Sequence, residues 1–461
     1  MDGRRNALGR RLVAIVGLLA GALAGTTTVV VGAAVAQRTT DPVGVYVEAT
    51  HLPPLLTTVT DVAALEYDAY CIDPEADETE ATCDLTGSVF VRPGASGSFR
   101  QLPLVHDGPT SHLVARVPQA IASSRIGFTY YAEIEAGPGG ASVTFPTGGA
   151  SAPHRSLPLG RAVEIALGSH RFGETARADE RLVTAAWGDG PSDAGLEQGR
   201  SVTPIGPSTF DVDASSTVVL LDQAHRRLLR WRHGARAPTR VPLEVDGTIA
   251  DMTLAPDGTV YVLETVSRFG RAPFVRRFDS YGRGLGSTEI GERTASQIQQ
   301  GPGGPVVLQQ PSQQWMPVAS GGSLVEPDGQ RKHGRSGRPL GADTEVIVLR
   351  RGNEIRIALA GLAGVRRSWR ITSETALAEV QLAEPFGQHV AVVVRVFSER
   401  EDEFLALVLG DSGLVTRFSI DSADWAEGAP LSRFRLAGHD LYQLGSTPTG
   451  TFVDRFDLQV Q

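Results

Sequence analysis

Short apolar ribbons return at near-constant intervals along the C-terminal half of this chain. Val218-Val219-Leu220-Leu221 is followed 42 residues on by Val260-Tyr261-Val262-Leu263, and a further 46 on by Val306-Val307-Leu308. Val390 to Val394 is another unbroken run, and Leu441-Tyr442-Gln443-Leu444 closes the series. A period of 40 to 47 with several short strands per unit predicts a β-propeller. Each blade is a four-stranded sheet lying between two neighbours, so its middle strands are covered on both faces and read as continuous apolar runs. A single such sheet would leave two faces bare, and stacking in a closed ring covers both. About 280 residues at roughly 45 each predict six blades over 181–461.

The last blade carries three strand candidates, at Arg433 to Leu436, Asp440 to Leu444 and Thr451 to Leu458. The strand Arg181 to Trp187 is the candidate fourth, a clasp that would join the two ends of the unit and remove two open edges. The lead Pro207 to Asp213, the aspartate at Asp222 and the following Arg227-Leu228-Leu229 are similar to NHL repeats. That resemblance implies an NHL-type six-bladed propeller and is specific over 204–280 and 433–458. Residues 296–430 keep strands but lose the glycine and aspartate markers.

Residues 41–155 read as short alternating strands. Phe128, Tyr130, Ala132 and Ile134 share one face, as do Leu65, Tyr67, Ala69 and Cys71. About seven strands with one dry face each predict two packed antiparallel sheets. The run resembles bacterial immunoglobulin-like or fibronectin type III-like modules. Prolines and glycines near 145–160 predict a linker, placed at 156–180, with Val163 to Leu167 as a strand docking one unit on the other. The expected fold class is therefore all-β: a β-sandwich, then a six-bladed β-propeller.

Arg4, Arg5, Arg10 and Arg11 precede an uncharged stretch from Leu12 to Ala36. Two readings stay open for residues 1–36: a secretory signal peptide ending at Ala34-Val35-Ala36, or a retained membrane anchor. Both export the rest of the chain, leaving residues 12–36 as its one membrane contact if uncleaved. The 461-residue chain has a formal charge of −9, which argues against nucleic acid as its main partner. In an oxidising compartment its two cysteines, Cys71 and Cys83, are expected to form a disulfide. Between and beside them, Asp73, Glu75, Asp77 and Asp84 fall at positions 1, 3, 5 and 12 of an EF-hand-like calcium count. Position 6 needs glycine and holds Glu78, so a solvated acidic hairpin tip is the competing reading, with no cofactor.

Catalytic signatures are sparse. The ten histidines contain no metal-ligand spacing, and no Gly-x-Ser-x-Gly elbow or phosphate loop is present. Asp222 with its neighbouring arginines is read as fixing backbone at a blade turn, and His439-Asp440 as the matching turn of the last blade. Arg331, Lys332, His333, Arg335 and Arg338 form the basic cluster that stands out, expected as a mobile surface loop or a polyanion contact. Together these predict an exported binding or scaffolding protein, without enzymatic activity, that recognises an extracellular or cell-wall ligand at the channel mouth. The alternative is a metal-dependent propeller lyase or hydrolase.

Overall fold

The computed structural model describes residues 34–35, 46–58, 61, 63–72, 80–81, 83–108, 111–137, 139–199, 202–245, 247–266, 273–291, 295–309, 312–426 and 432–458. In the N-terminal unit the alternation of apolar side chains does what it predicts. Ala64–Ile72 sits in one sheet with Tyr46–Thr50 and His112–Arg116, and turns Leu65, Tyr67, Ala69 and Cys71 inward. Phe128–Ala136 sits in the opposite sheet between Leu85–Pro93 and His154–Pro158, and turns Phe128, Tyr130, Ala132 and Ile134 to meet them. The two sheets share one apolar core, as packed antiparallel sheets do. Cys71 and Cys83 are disulfide-bonded, with their Cα atoms 6.2 Å apart.

Ala34–Val35, at the end of the predicted export segment, pairs antiparallel with Ala49 and Glu48. The rest of that segment lies outside the described residues. Among the described residues no helix is long and apolar enough to cross a membrane.

Six sheets follow in a ring. Blade 1 is Thr209–Val212, Val218–Asp222, Arg227–Trp231 and Thr239–Pro242; blade 2 is Thr248–Leu254, Val260–Val266, Phe274–Phe278 and Gly284–Glu289. Among the described residues blade 3 shows three strands, Ala295–Gly301, Gly304–Gln309 and Gln314–Pro317. Blade 4 is Arg338–Pro339, Thr344–Arg351, Glu354–Gly361 and Gly364–Thr372, and blade 5 runs from Ala376–Phe386 to Gly413–Asp421. Blade 6 is Phe434–Ala437, Asp440–Thr447 and Gly450–Asp457, completed by Glu180–Ala186. That last strand is the expected clasp. Arg181 fastens it with a bidentate pair to Asp454, at 2.7 and 2.8 Å, while stacking on Phe452.

The middle strands justify their composition. Leu220 enters the core between blades 6 and 1, while Val219 and Leu221 enter the core between blades 1 and 2. The seam between blades 3 and 4 is different. The Gln297-Ile298-Gln299-Gln300 run and Gln309 leave blade 3 with few large apolar side chains for a second core. No apolar cluster joins blades 3 and 4 among the described residues. Instead Ile347, Ala358 and Ala360 of blade 4 pack on Leu55, Leu56, Leu157 and Leu159 of the sandwich. The sandwich edge thus covers a face that a neighbouring blade covers elsewhere in the ring.

His154–Pro158, which straddles the expected boundary between 155 and 156, is a strand of the sandwich. In the segment expected as linker, Val163–Ala166, within the stretch expected as a docking strand, pairs parallel with Trp369 to Thr372 of blade 4, and Thr175 bridges Ser419.

Candidate functional site

In a four-stranded meander, the turn between the second and third strands and the exit from the fourth lie at the same end. For blades 6 and 1 that end gathers the turns 447–450 and 222–227, the loop after Ala186 and the segment before Ser432. The loop Trp187 to Gly195 is fastened there by one buried carboxylate. Asp222 Oδ1 accepts the Gly195 amide at 3.1 Å, and Oδ2 accepts Arg227 Nε at 2.8 Å. Arg227 reaches on to the Asp193 carbonyl at 2.6 Å. A Cβ on Gly195 would fall 2.5 Å from Asp222 Oδ1, so glycine is needed for this approach.

His225 lies beside this carboxylate, with Nδ1 at 2.8 Å from Asp222 and Nε2 at 3.0 Å from exposed Asp189. Burial would lower the pKa of its imidazole, but the two carboxylates outweigh burial and raise it. When protonated, the ring donates to both carboxylates, an arrangement that suits a brace and engages both ring nitrogens.

Next to the brace lies a shallow, solvent-open depression with room for water centres of only about 10 Å³, lined by Trp187, Pro207, Ala426, Arg433, Ser446 and Thr451 among others, with Trp425 standing beside Trp187 outside that lining. The Trp187 ring is 6.2 Å from Trp425, tilted by 31°, and its indole donates to the Thr447 carbonyl at 2.9 Å. Half-buried tryptophans with one polar handle present a flat apolar surface at low entropic cost. Closing the ring brings Trp187 and Trp425 together from distant points of the chain.

Deeper in, the ring is tied by buried charge. Asp251 is fully buried and accepts from Ile298 N at 2.8 Å, Met252 N at 2.9 Å and Ser432 Oγ at 3.1 Å. Burial pushes its carboxyl pKa up, although the Arg435 charge and these donors pull it down. Arg435 also donates to the carbonyls of Phe210 and Met252, so blades 1, 2, 3 and 6 share one polar knot. Sequence reasoning missed Asp251 and Arg435. An aspartate inside the run Ile249-Ala250-Asp251-Met252 was the available signal.

Of the residues singled out from the sequence, Asp73, Glu75 and Asp77 lie outside the described residues. Asp84 is exposed, and its backbone carbonyl accepts the Gly137 amide. The segment expected as a mobile basic loop is instead partly ordered by a short helix, Pro327–Lys332. Arg331 pairs with Asp328 and donates to the Gly291 carbonyl, Arg335 donates to the Ala342 carbonyl, and Arg338 is buried against Glu384. Lys332 and His333 remain exposed. His439-Asp440 does not match the Asp222 turn. It joins the first two strands of blade 6, at the opposite end of the ring.

No protein-family model matches the chain. No curated protein matches it either. Among solved structures, virginiamycin B lyase from Staphylococcus aureus is similar at 13% identity, over 56% of this chain and 85% of that one, with a TM-score of 0.31. A streptogramin B lyase matches at 10% identity over 58% and 88%, with a TM-score of 0.32. The WD40 propeller domain of Doa1 matches at 8% identity over 59% and 97%, with a TM-score of 0.30. The six-bladed ring is read from this chain's own sheet topology, and its chemistry from its own residues.

Proposed function

We propose that this is an exported, non-enzymatic binding protein that recognises an extracellular or cell-wall ligand on the aromatic surface around Trp187 and Trp425. One observation carries the reading. The groups that resemble catalytic machinery, Asp222, His225 and Arg227, are spent on one another and on loop backbone, while the adjoining Trp187 and Trp425 offer aromatic surface. The Cys71–Cys83 disulfide supports an oxidising, extracytoplasmic location, either secreted or tethered through residues 12–36. We further assign the propeller to the NHL type on its 207–229 motif, and the sandwich to the immunoglobulin-like class.

Isothermal titration of the exported chain against cell-wall fragments and extracellular peptides should reveal saturable binding. Trp425→Ala should weaken that binding roughly tenfold or more, the usual size of a tryptophan anchor. Trp187→Phe, which keeps a ring but loses the donor to Thr447, should weaken it less. Saturable binding that survives Trp425→Ala unchanged, or that maps to the sandwich, overturns the assignment.

A further inference from the structure

Between Asp222 and Glu244 the chain holds no acidic residue and six arginines, Arg226, Arg227, Arg230, Arg232, Arg236 and Arg240, with His233 among them. No other stretch between consecutive acidic residues holds as many arginines, in a chain whose formal charge is −9. Arg227 is committed to Asp222, and Arg226 donates to the Val245 carbonyl. The other four arginines have no ion-pair partner among the described residues. Several arginines elsewhere in the propeller are matched, among them Arg181 with Asp454, Arg276 with Glu264, Arg395 with Asp402 and Arg455 with Asp440. Like charges crowded on one hairpin repel each other, so the fold gains nothing from this cluster.

The geometry points to a second binding site, on the outer hairpin of blade 1, for a flexible anionic polymer bearing phosphate or carboxylate groups. Arg232, His233 and Arg236 are exposed on the turn between Arg227–Trp231 and Thr239–Pro242. Arg240 is also exposed and pairs across from Leu229, whose side chain enters the core toward blade 6. Arg230 shares the opposite face with Leu228, which packs toward blade 2. The cations therefore stand on both faces and at the tip of one hairpin. A planar bilayer surface meets one side of such a hairpin, whereas a flexible chain can wrap it. The turn's apolar residues are Ala235, Ala237 and Pro238, with no large side chain to enter a membrane. Guanidinium groups stay charged at any physiological pH and pair bidentately with phosphate and carboxylate oxygens. This site sits at the opposite end of the Arg227–Trp231 strand from the Asp222 brace and goes beyond the aromatic surface proposed above.

The test titrates the exported chain with long-chain inorganic polyphosphate and with polygalacturonate, at low and at physiological salt. Saturable binding to either polymer that weakens steeply with salt is expected, and the polymer that binds identifies the anionic group. The triple variant Arg232→Gln, Arg236→Gln, Arg240→Gln should lose about tenfold or more in affinity. It should also lower the slope of log K against log salt by roughly two to three. These side chains are exposed, so its melting temperature should match that of the parent. A Lys332→Gln, His333→Gln variant should bind as the parent does. The site is refuted if the triple variant binds normally, if the Lys332 variant loses binding instead, or if anionic vesicles bind while neither polymer does. Each of those results leaves the Trp425 test untouched.

Discussion

Lowering the pH from 7 toward 4 should unfold the sandwich steeply, because two histidines are locked neutral in its core. His51 stacks on Tyr67 with ring centroids 4.2 Å apart, and its ring nitrogens lie 2.6 Å from the Glu66 carbonyl and 2.8 Å from the Tyr130 hydroxyl. His154 is fully buried among Tyr130, Phe145 and His51, with neither ring nitrogen hydrogen-bonded. Burial lowers the pKa of His51 to about 4, against the opposing pull of the Glu66 carbonyl. Burial, and then the neighbouring His51, hold that of His154 well below its ordinary value. In the unfolded chain both titrate near 6.5. Folding therefore excludes protons that the unfolded chain binds. This contribution is whole above about pH 6.5 and falls as pH drops toward 4, by about 1.4 kcal/mol per pH unit for each histidine. For His51 alone, with its pKa at about 4, this amounts to roughly 3 kcal/mol, a large part of a domain's stability, and His154 adds to it in the same direction. Melting temperatures from pH 8 to 4.5 would show the fall. His154→Phe removes one titrating ring from an apolar site, and should leave stability at pH 7 equal or higher while halving the acid slope. An unchanged slope in that variant would sink the idea.

These histidines also mark where sequence reading stops. Phe128 to Ile134 and Leu65 to Cys71 are legible because an alternating strand declares its dry face within seven residues. The runs at 218–221 and 390–394 are legible because double coverage leaves no polar position, and the clasp at 181–187 follows from a final blade one strand short. What failed to show depends on distant partners. Asp251 and Arg435 are 184 positions apart and look like ordinary surface charges until the ring closes. His154 follows Pro153 in a stretch that reads as linker, yet its ring lies in the sandwich core. The arginines of 226–240 divide between the ends of two strands and a turn, so they pass as parts of one repeat until Arg230 and Arg240 are placed on opposite faces. The glutamines of blade 3 were visible as a lapse in the repeat, but no local pattern tells that another domain covers the neighbouring blade.

That seam between sandwich and propeller yields the other large effect. Arg356→Ala should destabilise the protein by about 3 kcal/mol, within the range expected when one partner of a buried pair is removed. Arg356 is 6% exposed along its side chain and donates to Asp61, Glu354 and the Leu56 carbonyl at 2.8 Å. It thus ties the sandwich to the blade 4 strand on which it sits. Burial would raise the Asp61 carboxyl, yet the bond and charge from Arg356, with the Thr58 amide, hold its pKa below the usual carboxylate range. Glu354 keeps Arg370 at 2.6 Å if Arg356 is removed, whereas Asp61 keeps the more exposed Arg351 at 3.4 Å. The uncompensated carboxylate is therefore on the sandwich side. Losing the anchor should loosen the seam where Leu56 and Leu157 meet Ile347 and Ala358, exposing the connection near 159–162 to protease before the propeller itself opens. Chemical denaturation of Arg356→Ala, Asp61→Asn and the double variant would measure the coupling, since removing both partners avoids the stranded charge. The double variant should be more stable than Arg356→Ala alone. Strict additivity, with a cost for Arg356→Ala below about 0.5 kcal/mol, would mean that the leucines hold the two units together without help from the pair.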